Sequence, residues 1–480
     1  MSSYDLAIKN GLLVIPCSGV RRADLGVKNE KIVTIADDIP AEAAERVIDA
    51  SGKHVFPGAV DSHSHIGIYR PLDEDAASES AACAAGGVTT IASYFRTGKN
   101  YLNKTGSFRD IFPELLKLSE NSFRVDYAYH IACMSTEQIS EVEWLAKEGG
   151  VSTFKYYMFY KSLDLSGAEP SAGYLMLSKD TLDFGFLYRF MKEISRVNQS
   201  MEGSPLSLSI HCENPEVIVA TVEEAKQNPT GNTMKDYSNG RPPWQEALAI
   251  KEVTFLAERT GCPVNLLHLS SRDAVEAAMG ARIDYPNIPF LAEATLHHLA
   301  MTNDNDYGIL GKVNPPVRDQ SHVDFLWESV LAGTIQTVAS DHACHPKELR
   351  KGDLWTVMPG FGGTSLMFPV LINEGYHRRG LSLSRVAELS SYNPARWHRL
   401  FPKKGSISVG ADADLAIIDL EAEKEVTTAA LHSAQDYTPF EGMKLKGWPE
   451  TTIVRGRVVF ENDQVVGDPG WGRYQHRPAS

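Results

Sequence analysis

A disulfide framework is the first thing missing from this chain. Its 480 residues hold six cysteines, Cys17, Cys83, Cys133, Cys212, Cys262 and Cys344, scattered and never in CxxC spacing. A chain this long builds a core without covalent staples, so reduced thiols and a cytoplasmic setting are expected. No apolar run approaches about 18 residues, so no membrane-spanning helix is expected. Met1 to Asp5 carry no basic region leading into an apolar core, so no signal peptide is expected either. Basic clusters are also missing. Lys and Arg number 47 against 61 Asp and Glu, a net charge of −14, which argues against nucleic acid and anionic membrane surfaces as partners. There is no repeat, no low-complexity stretch and no GxGxxG after the first apolar strand, which weakens a dinucleotide-binding open sheet.

What is present is organised around Pro57-Gly58-Ala59-Val60-Asp61-Ser62-His63-Ser64-His65. An apolar run from Val55 to Val60 leads into two histidines one residue apart. If the run is a strand, both imidazoles point to the same face, because side chains alternate with period two. Neutral imidazole ligates zinc and similar ions, so the pair starts a metal site. A lone His-x-His is weak evidence, and the remaining ligands must come from elsewhere.

Residues 1–54 read as short strands, among them Leu6–Ile8, Gly11–Ile15, Ala23–Lys28, Lys31–Ile35 and Glu45–Ala50. From 55 to 401 short apolar strands alternate with amphipathic segments. The strands are Val55–Ile66, Thr89–Ser93, Val125–Ile131, Thr153–Met158, Leu206–His211, Val264–His268, Phe290–Thr295 and Ile335–Ser340. Eight such alternations predict an α/β fold of the (β/α)₈ TIM-like barrel type, with a doubly wound open sheet as the alternative. After Arg399 the β pattern returns, with a hairpin around Arg455-Gly456. The simplest topology joins 402–468 to 1–54 in one β-sandwich domain into which the barrel is inserted. Residues 469–480 are expected to form a polar tail reaching over a surface or a neighbouring subunit.

Metal-capable residues fall at the predicted C-terminal strand ends, where barrel active sites lie. Lys155 stands in Thr153–Met158, His211 ends Leu206–Ile210, His268 follows Val264–Leu267, and Asp341 follows Ile335–Ser340. Each alone is an ordinary polar group at a strand end. Six together, with His63 and His65, point to a metal centre. Lys155 needs its own argument, since an ammonium has no lone pair. Burial favours the neutral amine, which can add CO₂ to give an anionic carbamate able to bridge two metals about 3.5–4 Å apart.

These residues, with Gly86-Gly87-Val88-Thr89-Thr90, His211-Cys212-Glu213-Asn214, Arg241-Pro242-Pro243, Lys312-Val313-Asn314-Pro315-Pro316-Val317-Arg318, Ser340-Asp341-His342, Asn393-Pro394-Ala395 and Pro439-Phe440-Glu441-Gly442, resemble the amidohydrolase superfamily. The resemblance is to its cyclic-amide branch of hydantoinases, dihydropyrimidinases, allantoinases and dihydroorotases, and it runs the length of the chain. It implies a barrel with a small β-sandwich and two divalent metal ions, zinc being the expected ion. One is held by His63, His65, carboxylated Lys155 and Asp341, the other by Lys155, His211 and His268. A hydroxide bridging the ions would attack the ring carbonyl of a small cyclic amide, with Asp341 as acid and base in turn. Tyr160, five residues after Lys155, is the implied oxyanion donor, and Asn314 the substrate-amide binder. The resemblance also implies a homo-oligomer, a tetramer or dimer.

Three departures bear on the substrate. Gly67 stands where dihydroorotases carry the arginine for a substrate carboxylate, with Arg70 nearby as a replacement. Tyr94-Phe95-Arg96 replaces an Asp-Met-Pro-Asn-like segment, and Met358–Gly363, including Phe361, lacks the asparagine that helps hold a hydantoin ring. Arg70, Arg96 and Phe361 are therefore the expected specificity residues. A lactam or linear N-acyl substrate is the alternative. A non-catalytic scaffold or a single-metal deaminase fits less well, because all six ligand positions, including Lys155, are filled.

Overall fold

A computed structural model describes residues 2–98, 100–159 and 182–477. Eight parallel strands follow one another in chain order. They are β1 (Ala59–Ser64), β2 (Val88–Arg96), β3 (Asp126–Ala132), β4 (Thr153–Tyr157), β5 (Ser207–His211), β6 (Val264–Leu266), β7 (Phe290–Thr295) and β8 (Thr337–Ala339). The ring closes where Ser64 bridges His342 in parallel and the His65 amide donates to the His342 carbonyl at 2.7 Å. The fold is thus a (β/α)₈ barrel, and its strands are buried on both faces, as helix-covered parallel strands must be.

The helices follow from spacing and caps. In Phe184–Gln199, Phe186, Leu187, Phe190, Met191, Ile194 and Val197 form one buried stripe. Asp183 caps the helix by accepting from the Phe186 amide at 2.8 Å. Pro243–Thr260 ends at Gly261, whose φ of +74° suits a left-handed cap. Among the described residues no helix is long and apolar enough to cross a membrane.

The run read as one strand, Val55–Ile66, is two. His54–Pro57 pairs with Leu415–Ile418 and, in parallel, with Leu12 and Leu13, whereas β1 belongs to the barrel. Gly58 makes the break. A Cβ there would sit 2.2 Å from the Thr89 hydroxyl, so only glycine lets the chain cross from one sheet to the other.

Beside the barrel lie a four-stranded sheet of N-terminal segments and a seven-stranded sheet joining His54–Pro57, Leu12–Ile15 and Gly19–Arg22 to the C-terminal strands Leu415–Glu425, Lys444–Val454, Arg457–Glu461 and Gln464–Val465. They share a core of Leu6, Ile8, Leu25, Val55, Leu415 and Ile453 with their neighbours. Beneath the barrel, buried Lys404 reaches Asp412 at 2.9 Å, Asp414 at 2.6 Å, and Asp126 at the start of β3. The last described residues run along the same end of their own barrel. Gly472 donates to the Phe123 carbonyl at 2.8 Å, Gln475 to Tyr127 at 2.7 Å, and Arg477 to Tyr129 at 2.7 Å.

Candidate metal and active site

Alternation along each strand decides which side chains enter the barrel. In β4, Phe154 and Tyr156 face the helices, Phe154 against the Phe190 ring at 5.9 Å and Tyr156 donating to the Leu182 carbonyl at 2.8 Å. Lys155, between them, points inward. His63 lies in β1 and His65 just beyond it, His211 ends β5, and His268 and Asp341 each stand two residues past their strands. His268 and Asp341 adopt φ of +38° and +52°, strained for residues with a Cβ, as is common where function fixes a side chain.

All six side chains line one cavity of about 280 Å³. Asp341 Oδ1 lies 3.0 Å from His63 Nε2 and 3.2 Å from His65 Nε2. His268 Nε2 faces His211 Nδ1 at 2.8 Å. The outer nitrogens are anchored, His63 Nδ1 by Glu293 at 2.7 Å and His211 Nε2 by Glu213 at 2.7 Å. A carboxylate on one ring nitrogen keeps a proton there and aims the other nitrogen into the cavity, the arrangement found around metal-ligating histidines.

Electrostatics agree. Burial pushes Lys155 down to about 7, with its Nζ 4.5 and 4.7 Å from the Tyr94 and Tyr157 ring centres. Burial holds His65 and His211 down at about 4, and His268 well below its usual value, so these imidazoles are neutral. Burial would raise Asp341, but His63 and His65 outweigh it and keep the carboxyl well below its ordinary range. Burial opposes protonation of His63, yet the Asp341 and Glu293 charges hold it up at about 9. Three neutral imidazoles, an amine poised to deprotonate, an ionised carboxylate and His63, whose Nε2 proton a bound cation would replace, form a donor set that suits divalent cations, and His63, His65 and Asp341 bring ligand atoms within 4.8 Å of one another.

Of the expected substrate residues, Asn314 lines the cavity and its Oδ1 accepts from the Tyr237 hydroxyl. Tyr160 lies outside the described residues. Three others stand away from the cavity wall. Arg70 turns to Asp75 at 3.2 Å and Ser78 at 2.7 Å, because two buried carboxylates on the next helix attract it. Arg96 is buried, donates to the Thr97 carbonyl at 3.2 Å and lies 5.5 Å from the Tyr101 ring centre. Phe361 packs in the core against His297 and Phe440, with centroids 5.3 and 5.9 Å away. The wall is formed instead by Tyr69, Phe159, Tyr237, Lys312, Trp355 and Met358, with others. The expectation also passed over Glu213 and Glu293. Both left a signal, Glu213 as His-x-Glu and Glu293 as the one charge inside the apolar strand Phe290–Thr295.

Comparison with known proteins agrees with this geometry. The amidohydrolase family model matches residues 179–459. An allantoinase from Rubrobacter xylanophilus is 33% identical over 99% of this chain and 98% of its own length. A D-hydantoinase from Ralstonia pickettii is 29% identical over 98% of this chain and 99% of its own. The solved structure of L-hydantoinase (dihydropyrimidinase) from Arthrobacter aurescens superposes with a TM-score of 0.85 at 30% identity, covering 98% of this chain and 99% of that one. With its barrel, its inward histidines and a family match spanning more than half its length, the chain belongs to the amidohydrolase family.

Proposed function

We propose that this protein is a metal-dependent hydrolase that opens a small cyclic amide of the hydantoin or dihydropyrimidine kind. The observation that carries the reading is the convergence of His63, His65, Lys155, His211, His268 and Asp341 on one cavity. Similarity over nearly the full length to an allantoinase and to hydantoinases supports the ring class. His63, His65 and Asp341 would hold one divalent ion and His211 and His268 the other, with carboxylated Lys155 between them and zinc the expected pair. When bound, the ions supply an acidified water and a polarised carbonyl.

The chain's own groups do the rest. Asp341, kept ionised by its two histidines, accepts the proton of the attacking water and returns it to the leaving ring nitrogen. Asn314 has its Oδ1 occupied by Tyr237, so its amide N–H is what it offers a substrate carbonyl. Tyr160 is proposed as the donor to the developing oxyanion. The aromatic wall of Tyr69, Tyr157, Phe159 and Trp355 excludes water around the ring. A cytoplasmic homo-oligomer completes the proposal. It is supported by unpaired cysteines among the described residues and by Trp244, Leu248, Phe255 and Ile283 exposed on adjoining helices.

The test is turnover of zinc-loaded protein against hydantoin, 5-phenylhydantoin, dihydrouracil, allantoin, dihydroorotate, lactams and linear N-acyl amino acids, followed by loss of amide absorbance. Opening of one ring class is expected. Activity confined to linear amides would overturn the ring reading. Lys155→Ala is expected to abolish activity and metal retention, with partial recovery in short carboxylic acids.

A further inference from the structure

Asp341 sits in a left-handed backbone, uncommon outside glycine although aspartate tolerates it better than most, and a web of contacts surrounds it there. The Ser340 hydroxyl donates to Asp61 at 2.5 Å and accepts from the His342 amide at 3.1 Å. The His342 carbonyl takes the His65 amide, so the two loops bearing His65 and Asp341 are tied together. The His342 ring accepts the Gly363 amide at Nδ1, 3.1 Å away, which places its proton on Nε2, 2.9 Å from Glu79 Oε2. Glu79 is fully buried, and is gripped from the far side by the Ser433 hydroxyl at 2.5 Å and the Ala434 amide at 3.0 Å.

One turn earlier on the same helix, Leu72–Ala85, buried Asp75 accepts the Gly67 amide at 2.7 Å, two residues after His65. Arg70 lies 3.2 Å from Asp75 and 3.7 Å from Glu79, compensating both charges.

We infer that Asp75 and Glu79 are positioning residues. Through Gly67 and through His342 they fix the two loops that carry His65 and Asp341, and Ser433 and Ala434 connect that clamp to the C-terminal segment. Arg70, expected from the sequence to hold substrate, belongs to this clamp. The inference rests on the proposed metal-dependent reading of the site for its effect on activity, but not for its effect on geometry.

The experiment compares wild type with Glu79→Gln, Glu79→Asp and Ser433→Ala, each reconstituted with Co²⁺. Glu79→Gln is expected to release cobalt about tenfold faster, the scale of lost outer partners at metal sites, and to alter the d–d spectrum. On the ring opened by wild type, kcat is expected to fall about tenfold with KM nearly unchanged, and Glu79→Asp to recover part of it. Ser433→Ala, remote from the cavity and little able to unfold the chain, is expected to show the same changes to a smaller degree. A crystal structure of Glu79→Gln is expected to show Asp341 displaced from His63 and His65. If wild type opens no ring, the functional reading fails alone, while cobalt release and the Asp341 position still decide the clamp. Unchanged cobalt release, unchanged Asp341 geometry and a lowered melting temperature alone would overturn the inference.

Discussion

Removing the Glu213 carboxylate gives the sharpest test of how this site presents its ligands. Glu213 is fully buried and accepts from His211 Nε2 at 2.7 Å, which leaves His211 Nδ1 as a lone pair facing His268. It also takes Gln245 Nε2 at 3.1 Å and a charged bond from Arg241. In Glu213→Ala, His211 is free to move its proton to Nδ1, the atom proposed to hold metal, and Arg241 loses its counter-charge. A hydrogen bond to a charged group contributes about 1.5–3 kcal/mol, so affinity for the ion at His211 and His268 should fall about 10- to 150-fold. Glu213→Gln keeps an acceptor without the charge and should fall near the low end of that range. Titration of apoprotein with zinc against a chromogenic chelator measures this directly. One of two ions should weaken and the other stay. Two ions held by Glu213→Ala with wild-type affinity would refute the tautomer argument.

Lys404→Met leaves Asp412 and Asp414 buried and short of a counter-charge, and should cost about 3–5 kcal/mol, read as a lower unfolding midpoint in denaturant. Adding Asp414→Asn should recover part of that loss. Phe361→Ala should cost about 3–5 kcal/mol through the cavity it opens beside His297 and Phe440, with KM changed far less than stability. Burial holds His297 at about 4 and His345 and His398 at about 3. Their folded values lie below the unfolded value near 6.5, so the unfolded chain binds protons first as pH falls. Their stabilisation is complete above that value and is lost from about 6.5 down to 3, so the melting temperature should drop between pH 7 and pH 5. A flat or rising profile would contradict it.

The barrel was legible in the sequence because eight apolar runs alternate with helical stripes at regular spacing. The meeting of His63, Lys155, His211, His268 and Asp341 was legible because strand ends of a parallel barrel converge at one mouth. What stayed hidden depends on contacts between distant residues. Pro57-Gly58 marks a break inside the apolar run, but the reason only glycine fits there is the Thr89 side chain on the next strand. Arg70 lies close in sequence to His63 and His65, but Glu79, one of the two carboxylates that claim it, is held from its far side by Ser433 and Ala434, more than 300 residues away. Phe361 follows a pocket loop, yet its ring partners come from residues 297 and 440. Glu213 and Glu293 were visible as residues, but their effect comes from the histidine each one faces.

The strand pairing of His54–Pro57 with Leu415–Ile418 has a consequence during synthesis. Ribosomes add roughly 5–20 residues per second. Hundreds of residues separate the partners, so the N-terminal sheet waits on the order of tens of seconds for its neighbour to emerge. Through that interval the edge of His54–Pro57 is open to any other extended chain, and β1, which carries His63, hangs from it by Gly58. Slow translation or crowding should therefore favour aggregation of the nascent protein over loss of activity in the finished one. Chaperone supply during expression, rather than metal supply, should then set how much soluble protein is recovered.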